Sequence, residues 1–258
     1  MLEIEKATFR YGERAVLNDI SAAFRPGEVA GVIGPNGSGK STLIRLLAGE
    51  LKPAAGRVLL DGAPLARLRV AEVARRIALV PQHSRASFEF TALDVVLMGR
   101  TPYLGRFGVE TERDRTLAIR AMERLGVAPL ADRPASHISG GEWQRVVVAR
   151  ALCQDTPVML LDEPVSSLDI RHQLDVMALM RALAQDAGKA IVCVLHDLNL
   201  AAHYCDRLAL MSAGRIEYAG APGDVLTEAA IARVYGVLTR VRREAGGLFV
   251  EPIYEAAG

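Results

Sequence analysis

The stretch Gly34-Pro35-Asn36-Gly37-Ser38-Gly39-Lys40-Ser41 follows the spacing G-x-x-x-x-G-K-[ST]. The apolar run Val29-Ala30-Gly31-Val32-Ile33 precedes it, and Thr42-Leu43-Ile44-Arg45-Leu46-Leu47 follows with a helical pattern. Strand, glycine loop and helix in that order is the context in which this spacing binds phosphate. Glycines let the backbone turn tightly around a polyphosphate and aim successive N–H groups at it. A helix opening near Gly39 adds unpaired N–H donors and the positive end of its dipole. Lys40 is expected to reach the β- and γ-phosphates, and the Ser41 hydroxyl to ligate Mg²⁺. Only four of the 31 basic residues are lysines (Lys6, Lys40, Lys52 and Lys189). Lysine stands here, where a compact ammonium fits between phosphates and a planar guanidinium does not.

Other residues with chemistry lie further along the chain. Val158-Met159-Leu160-Leu161 is an all-apolar strand that ends in Asp162-Glu163. Two acids at the carboxyl end of a buried strand are costly unless they meet a ligand, and open α/β sheets bind ligands at that end. Asp162 is the expected Mg²⁺ partner, usually through water, and Glu163 the candidate to orient or deprotonate an attacking water. Ile191-Val192-Cys193-Val194-Leu195 repeats the pattern and delivers His196 to the same edge, where an imidazole can sense the γ-phosphate. Gln82 ends another apolar strand, Ile77–Val80. Ser139-Gly140-Gly141 opens a helix over Trp143–Cys153; it reads equally as a second anion site or as a capped turn. Tyr11 can stack on an adenine, although strand packing is the favoured reading of that residue taken alone.

The elements that must position these groups form an α/β pattern. Residues 2–33 read as short strands, with turns at Tyr11-Gly12-Glu13 and Arg25-Pro26-Gly27-Glu28. Val58-Leu59-Leu60 reads as a strand, 65–76 as a helix, Ile170–Ala187 as a long helix behind Ser167-Leu168-Asp169, and 224–235 as a further helix. Between His83 and Pro134 the parallel-sheet alternation stops. Helices are expected from Ala92, capped by Thr91, and from about Thr111 to Leu125. The tail beyond Gly236 carries little signal. At 258 residues, 50% hydrophobic and 24% charged, the chain has an ordinary globular composition. A net charge of +1 argues against a nucleic-acid-coating protein, and no apolar run approaches the roughly 18 residues that span a bilayer. The start, Met1-Leu2-Glu3-Ile4-Glu5-Lys6, alternates like a strand and lacks a secretory apolar stretch. Cys153, Cys193 and Cys205 form no C-x-x-C and read as buried free thiols.

Taken together, these pieces resemble the ATP-binding cassette family of transport ATPases. The resemblance runs from Tyr11 to about Gly236 and rests on an ordered set: Tyr11, the loop 34–41, Gln82, 138–142, the acids 162–163, the loop 167–169 and His196. It implies a P-loop NTPase core, with a mixed, mostly parallel sheet, N-terminal antiparallel strands and an inserted helical subdomain. The implied organisation is a single domain over 1–258, with the insertion at 83–150 and a C-terminal tail at 236–258. It implies ATP as substrate and Mg²⁺ as cofactor. The catalytic set would be Glu163, His196, Lys40 and Gln82. Nucleotide contacts would come from Tyr11, Gly34, Pro35, Asn36, Gly37, Ser38, Gly39, Lys40, Ser41 and Thr42, with Ser139, Gly140 and Gly141 reaching the ATP of a second copy. Ser41, Gln82 and Asp162 would face the metal, and Asp169 would communicate between two sites. The common Leu-Ser-Gly-Gly-Gln signature becomes Ile138-Ser139-Gly140-Gly141-Glu142, which leaves the role of Glu142 open.

Three stretches are similar to the ATPase subunits of bacterial importers for iron-siderophores, haem and cobalamin: Val95–Tyr103, Leu168–Gln173 and Leu195–Ala202. That similarity implies a head-to-tail pair of this chain bound to integral membrane permease subunits, and indirectly to a substrate-binding protein, at the cytoplasmic face of the inner membrane. Phe88, Phe90 and Tyr103 would be contacts for the permease, and no nucleic-acid partner is implied. The alternatives are a soluble cassette ATPase acting outside transport, an exporter, and a nucleotide-sensing module without catalysis. The soluble cassette ATPases usually carry two cassettes or a long coiled-coil insertion, which this sequence lacks.

Overall fold

Alternating and all-apolar strand patterns put most strands into two sheets, with a separate two-stranded sheet near the C-terminus, and a computed structural model places the two larger sheets face to face. It describes residues 1–82, 84, 90–105 and 108–253. The chain begins with β1 (Leu2–Tyr11), β2 (Arg14–Phe24) and β3 (Val29–Ile33), then α1 (Lys40–Leu47), β4 (Ala55–Leu60), β5 (Ala63–Pro64), α2 (Val70–Ala74) and β6 (Ile77–Val80). Helices follow: α3 (Ala92–Leu97), a 3₁₀ turn over Met98–Tyr103, α4 (Glu112–Arg124) and α5 (Gly140–Cys153). The sheet then resumes with β7 (Val158–Asp162), α6 (Ile170–Ala187), β8 (Ala190–Val194), α7 (Leu198–Tyr204), β9 (Arg207–Ser212) and β10 (Arg215–Gly220). The chain closes with α8 (Pro222–Val225), α9 (Glu228–Tyr235), β11 (Thr239–Glu244) and β12 (Gly247–Pro252).

The central sheet has the order β10-β9-β3-β8-β7-β6 and is parallel except at β10. An antiparallel sheet, β2-β1-β4-β5, lies over one face. Strands β3, β7 and β8 are buried at every position because both faces are covered. Alternation decides which core each side chain enters. Val32, Val158, Leu160, Val192 and Val194 pack with α1 and the antiparallel sheet. Val29, Met159, Leu161, Ile191 and Cys193 point the other way, towards α5 and α6. Each fully buried Leu or Val contributes about 1.5–3 kcal/mol relative to exposure, so the central strands are the firmest part of the frame. No helix of the described residues is long and apolar enough to cross a membrane. The three cysteines are free and buried, and burial pushes the Cys153 and Cys205 thiols up to about 11 and about 12.

Two helices expected as single pieces are broken. Within 65–76, Leu65 is buried in the second core and opens a 3₁₀ turn that stops at Arg67, after which extended backbone at Arg69 starts α2 afresh. The Glu72 carboxylate accepts the Arg69 N–H at 2.7 Å and seals that new start. Within 224–235, Thr227 accepts the Ala230 N–H at 3.2 Å, so a second N-cap interrupts the helix. Both breaks are local caps outcompeting helix propagation.

The stretch Val95–Tyr103 forms a joint between helices. Gly99 lies so close to α5 that an added Cβ would sit 2.3 Å from the Arg150 carbonyl. Arg100 is buried, pairs with Asp114 at 2.9 Å, donates to the Cys153 carbonyl at 3.0 Å and covers the Tyr103 ring. Asp114 also caps α4 through Thr111. The Thr111 hydrogen bonds, seconded by Arg100, hold the Asp114 carboxyl down at about 2 instead of 3.8. A depressed carboxyl stabilises the fold above its unfolded value and loses that contribution as pH falls through the folded one. Asp114→Asn should therefore unfold at lower denaturant than the unsubstituted chain at pH 7, and the gap should narrow as pH falls from about 4 to about 2. Denaturant titrations across that range check it.

Candidate active site

The phosphate loop is built where β3 runs into α1. Gly39 is the N-cap, in left-handed backbone (φ 102°), so α1 opens with free N–H groups towards the loop. Gly34 has φ 148°, and an added Cβ would meet the Met211 carbonyl at 2.2 Å. Only glycine fits there. Gly34→Ala should displace the loop and weaken ATP binding by about tenfold or more, as equilibrium titration would read. Lys40 is buried beneath the loop and donates to the Gly34 and Pro35 carbonyls at 2.8 and 2.9 Å. Burial pulls its ammonium pKa down, and the Glu163 and Asp162 carboxylates work against that.

The ends of β6, β7 and β8 bring the remaining groups to the same edge. Ser41 donates from Oγ to Asp162 Oδ1 at 3.2 Å. Burial raises the Asp162 carboxyl, with the Ser41 hydrogen bond opposing it. Glu163 stands one residue past β7, in left-handed backbone (φ 54°) that a side-chain-bearing residue adopts at a cost of about 1–3 kcal/mol. That turn swings its carboxylate out of the strand line and towards the cleft. Glu163 Oε1 receives two contacts: Gln82 Nε2 at 2.8 Å and His196 Nε2 at 2.7 Å. No described residue hydrogen-bonds Oε2, which leaves one oxygen to meet a water. Gln82, Glu163 and His196 join Lys40, Ser41, Thr42, Asn36, Gly37, Gly39 and Tyr11 around a cleft of about 770 Å³.

Among the described residues no cluster of three His, Cys, Asp or Glu side chains is arranged to hold a metal. The Ser41 hydroxyl and the Asp162 carboxylate, with the Gln82 amide on the same edge, are hard oxygen donors few in number. That suits Mg²⁺, which keeps several waters and takes one or two protein ligands alongside phosphate oxygens.

The remaining expected residues lie as follows. Tyr11 is 47% exposed at the mouth of the cleft, its ring edge-on to Phe9 at 4.8 Å and its hydroxyl accepting from Arg45 Nη1 at 3.2 Å. It packs along β1 against Phe9 and keeps part of its surface exposed at the cleft. Ser139, Gly140 and Gly141 do not line this cleft. Ser139 caps α5, and the Glu142 carboxylate accepts both the Ser139 N–H at 3.0 Å and its hydroxyl at 2.7 Å. Glu142 is thus a capping residue of its own helix, and these bonds to Ser139 hold its carboxyl below the usual range. Asp169 caps α6, accepting the His172 N–H at 2.9 Å. Phe90 and Tyr103 are 39% and 37% exposed, while Phe88 lies outside the described residues. Arg14 and Val16 also line the cleft, and nothing in their local sequence announces it.

The arrangement has counterparts. Residues 17–166 match the family described as ABC transporter. The cobalamin import ATP-binding protein of Halobacterium salinarum is 45% identical over 254 residues, covering 98% of this chain and 62% of its own length. The hemin import ATP-binding protein of Bordetella bronchiseptica is 43% identical over 244 residues, covering 92% of each chain. Among solved structures, an ABC transporter described as of metal-chelate type, in an inward-facing conformation, superposes with TM-score 0.84 at 27% identity over 98% of both chains. An ATP-binding cassette in a dimeric post-hydrolysis state bound to ADP and Pi gives TM-score 0.77 at 28% identity, covering 86% of this chain and 99% of that one. The chain spans less than two thirds of the Halobacterium relative, and nearly all of the others named. With the loop, the acids and the histidine gathered on one sheet edge and the relatives matching along nearly the whole length, this chain belongs to the ABC transporter family.

Proposed function

We propose that this chain hydrolyses ATP as the motor subunit of a bacterial importer. The observation that carries the hydrolytic part is the placement of Glu163: turned out of β7 by its backbone, steadied at one oxygen by Gln82 and His196, and facing the cleft above Lys40 and Ser41. A carboxylate held at Oε1 presents Oε2 to a water and accepts its proton as the water attacks the γ-phosphorus, while the bond to the β–γ bridging oxygen breaks and ADP leaves with that electron pair. The phosphate loop amides and Lys40 stabilise the charge that spreads over the phosphoryl oxygens. His196 Nε2–H donates to Glu163 Oε1 and steadies the carboxylate. Ser41 and Asp162 would hold Mg²⁺, with the Gln82 amide on the same edge, and the ion would there neutralise charge on the phosphates.

The site in one copy lacks the Ser139-Gly140-Gly141 backbone, which lies on another part of the surface. We read this as half of a composite site, completed by a second copy packed head to tail; that the cassette named above is dimeric supports a pair. Residues 83–150 would then form a helical subdomain inserted in one nucleotide-binding domain, with 236–258 as a tail. The helices would couple ATP binding to permease subunits in the membrane, with Phe90 and Tyr103 as exposed contacts. The chain itself would sit peripherally at the cytoplasmic face, and a substrate-binding protein would deliver cargo to the permease. The relatives' names support import of haem or cobalamin, and the metal-chelate type of the solved neighbour fits an iron chelate as well.

Affinity capture of this protein from its own solubilised membranes tests the assignment. A polytopic permease should leave with it, and the cognate binding protein would identify the cargo. Recovery of ribosomal or other non-membrane partners alone would keep the ATPase and overturn the transport role.

A further inference from the structure

The C-terminal segment, nearly silent in the sequence, reaches the site from behind. His196 lies in a short link between β8 and α7, and both ends of that link are tied. On one side the Leu195 N–H donates to the Val32 carbonyl of β3 at 3.1 Å. On the other, Asp197 caps α7 and accepts the Asn199 and Leu200 N–H groups at 2.7 and 3.0 Å. The placement of His196 therefore depends on where α7 sits.

A third tie fixes α7 and comes from 51 positions away. Asn199 Nδ2 donates to the Val250 carbonyl at 3.2 Å, and the Val250 N–H donates to Asn199 Oδ1 at 2.8 Å. The side-chain amide uses its donor and its acceptor on one backbone unit of β12, as a neighbouring strand would. β12 is paired along its length with β11, and the Val241 N–H of β11 donates to the Glu228 carboxylate of α9 at 3.0 Å. Val250 itself is buried in the core that contains α6 and α7. At the end of α9, Tyr235 buries its hydroxyl beside the Gly34 backbone without completing a hydrogen bond, and burial raises it to about 12. One C-terminal unit thus backs both the first glycine of the phosphate loop and the helix that follows His196.

We propose that Asn199 is a positioning residue for His196, its clamp on Val250 making the C-terminal hairpin the support that keeps the imidazole within reach of Glu163. This rests on the reading that the chain hydrolyses ATP. Asn199 itself is exposed, so removing its side chain opens no cavity in the core. A shift of about 1 Å in a catalytic group can cost up to two orders of magnitude in rate, while the nucleotide contacts of the loop are untouched.

The full chain is assayed for phosphate release against ATP concentration. Asn199→Ala should lower kcat about tenfold with the KM for ATP within about twofold, and should move the His196 imidazole resonances in a ¹⁵N spectrum. Arg242→Ala breaks only the exposed pair with Glu251 on the same hairpin (3.0 Å) and should leave kcat within about twofold. Asn199→Gln keeps both amide groups on a longer stem and should recover part of the lost rate; it carries the test if the alanine variant fails to fold. A kcat within twofold for the alanine variant, or an equal loss in Arg242→Ala, would overturn the clamp. Absence of turnover in the unsubstituted chain would instead overturn the hydrolysis reading, and the clamp with it.

Discussion

Glu163→Gln should lower ATP turnover by at least about a hundredfold while leaving ATP affinity within a few-fold, because general-base catalysis is worth roughly 10²–10⁴ in rate. The substitution is close to isosteric. Its amide oxygen can still accept from Gln82 Nε2 and His196 Nε2, which contact Glu163 Oε1 at 2.8 and 2.7 Å. The group lost is the second carboxylate oxygen, the one free to take a proton. An amide nitrogen there has no basic lone pair. Binding depends instead on the loop amides, Lys40 and Ser41, all of which stay in place. Phosphate release and equilibrium binding of a fluorescent ATP analogue, measured on the same preparation, separate the two effects. Equal loss of binding and turnover would make Glu163 a structural support of the pocket.

Lys40→Ala should act on binding and weaken ATP affinity by about a hundredfold or more. A hydrogen bond to a charged group contributes about 1.5–3 kcal/mol, and the ammonium is expected to make more than one to the phosphates. In this structure the same ammonium ties down the Gly34 and Pro35 carbonyls, so its loss also loosens the loop that supplies the backbone donors. Lys40→Arg should restore little, because a planar fork does not fit the buried position of a compact ammonium. Calorimetric titration with ATP measures both variants, and an arginine variant with unaltered affinity would place Lys40 outside the phosphate pocket.

The phosphate loop and the strand-end acids were legible because their chemistry demands fixed residue types at fixed spacing. Gly34 must be glycine to avoid the Met211 carbonyl, and Asp162-Glu163 must follow a strand to reach the sheet edge. The central strands were legible for a related reason: burial on both faces leaves an uninterrupted apolar run. Glu142 is readable in principle, since Ser139 and Glu142 fit the S-x-x-E capping pattern, while the Gln of the common signature can fill the same capping place and so hides the distinction. Helix breaks at Arg69 and Thr227 were missed because a single cap decided each one against a continuing apolar period. Arg14 and Val16 were beyond reach: their place on the cleft follows from the register of β2 on β1. The Asn199–Val250 clamp was equally hidden, because neither residue has a local signal that announces the other.

The central claim is that this chain hydrolyses ATP with Glu163 as the base. Its most direct test is to incubate the Glu163→Gln variant with Mg²⁺ and ATP, remove free nucleotide rapidly, and identify what the protein retains. The account predicts intact ATP, alongside rapid conversion to ADP by the unsubstituted chain under the same conditions. ADP formed by the variant at the unsubstituted rate would contradict it.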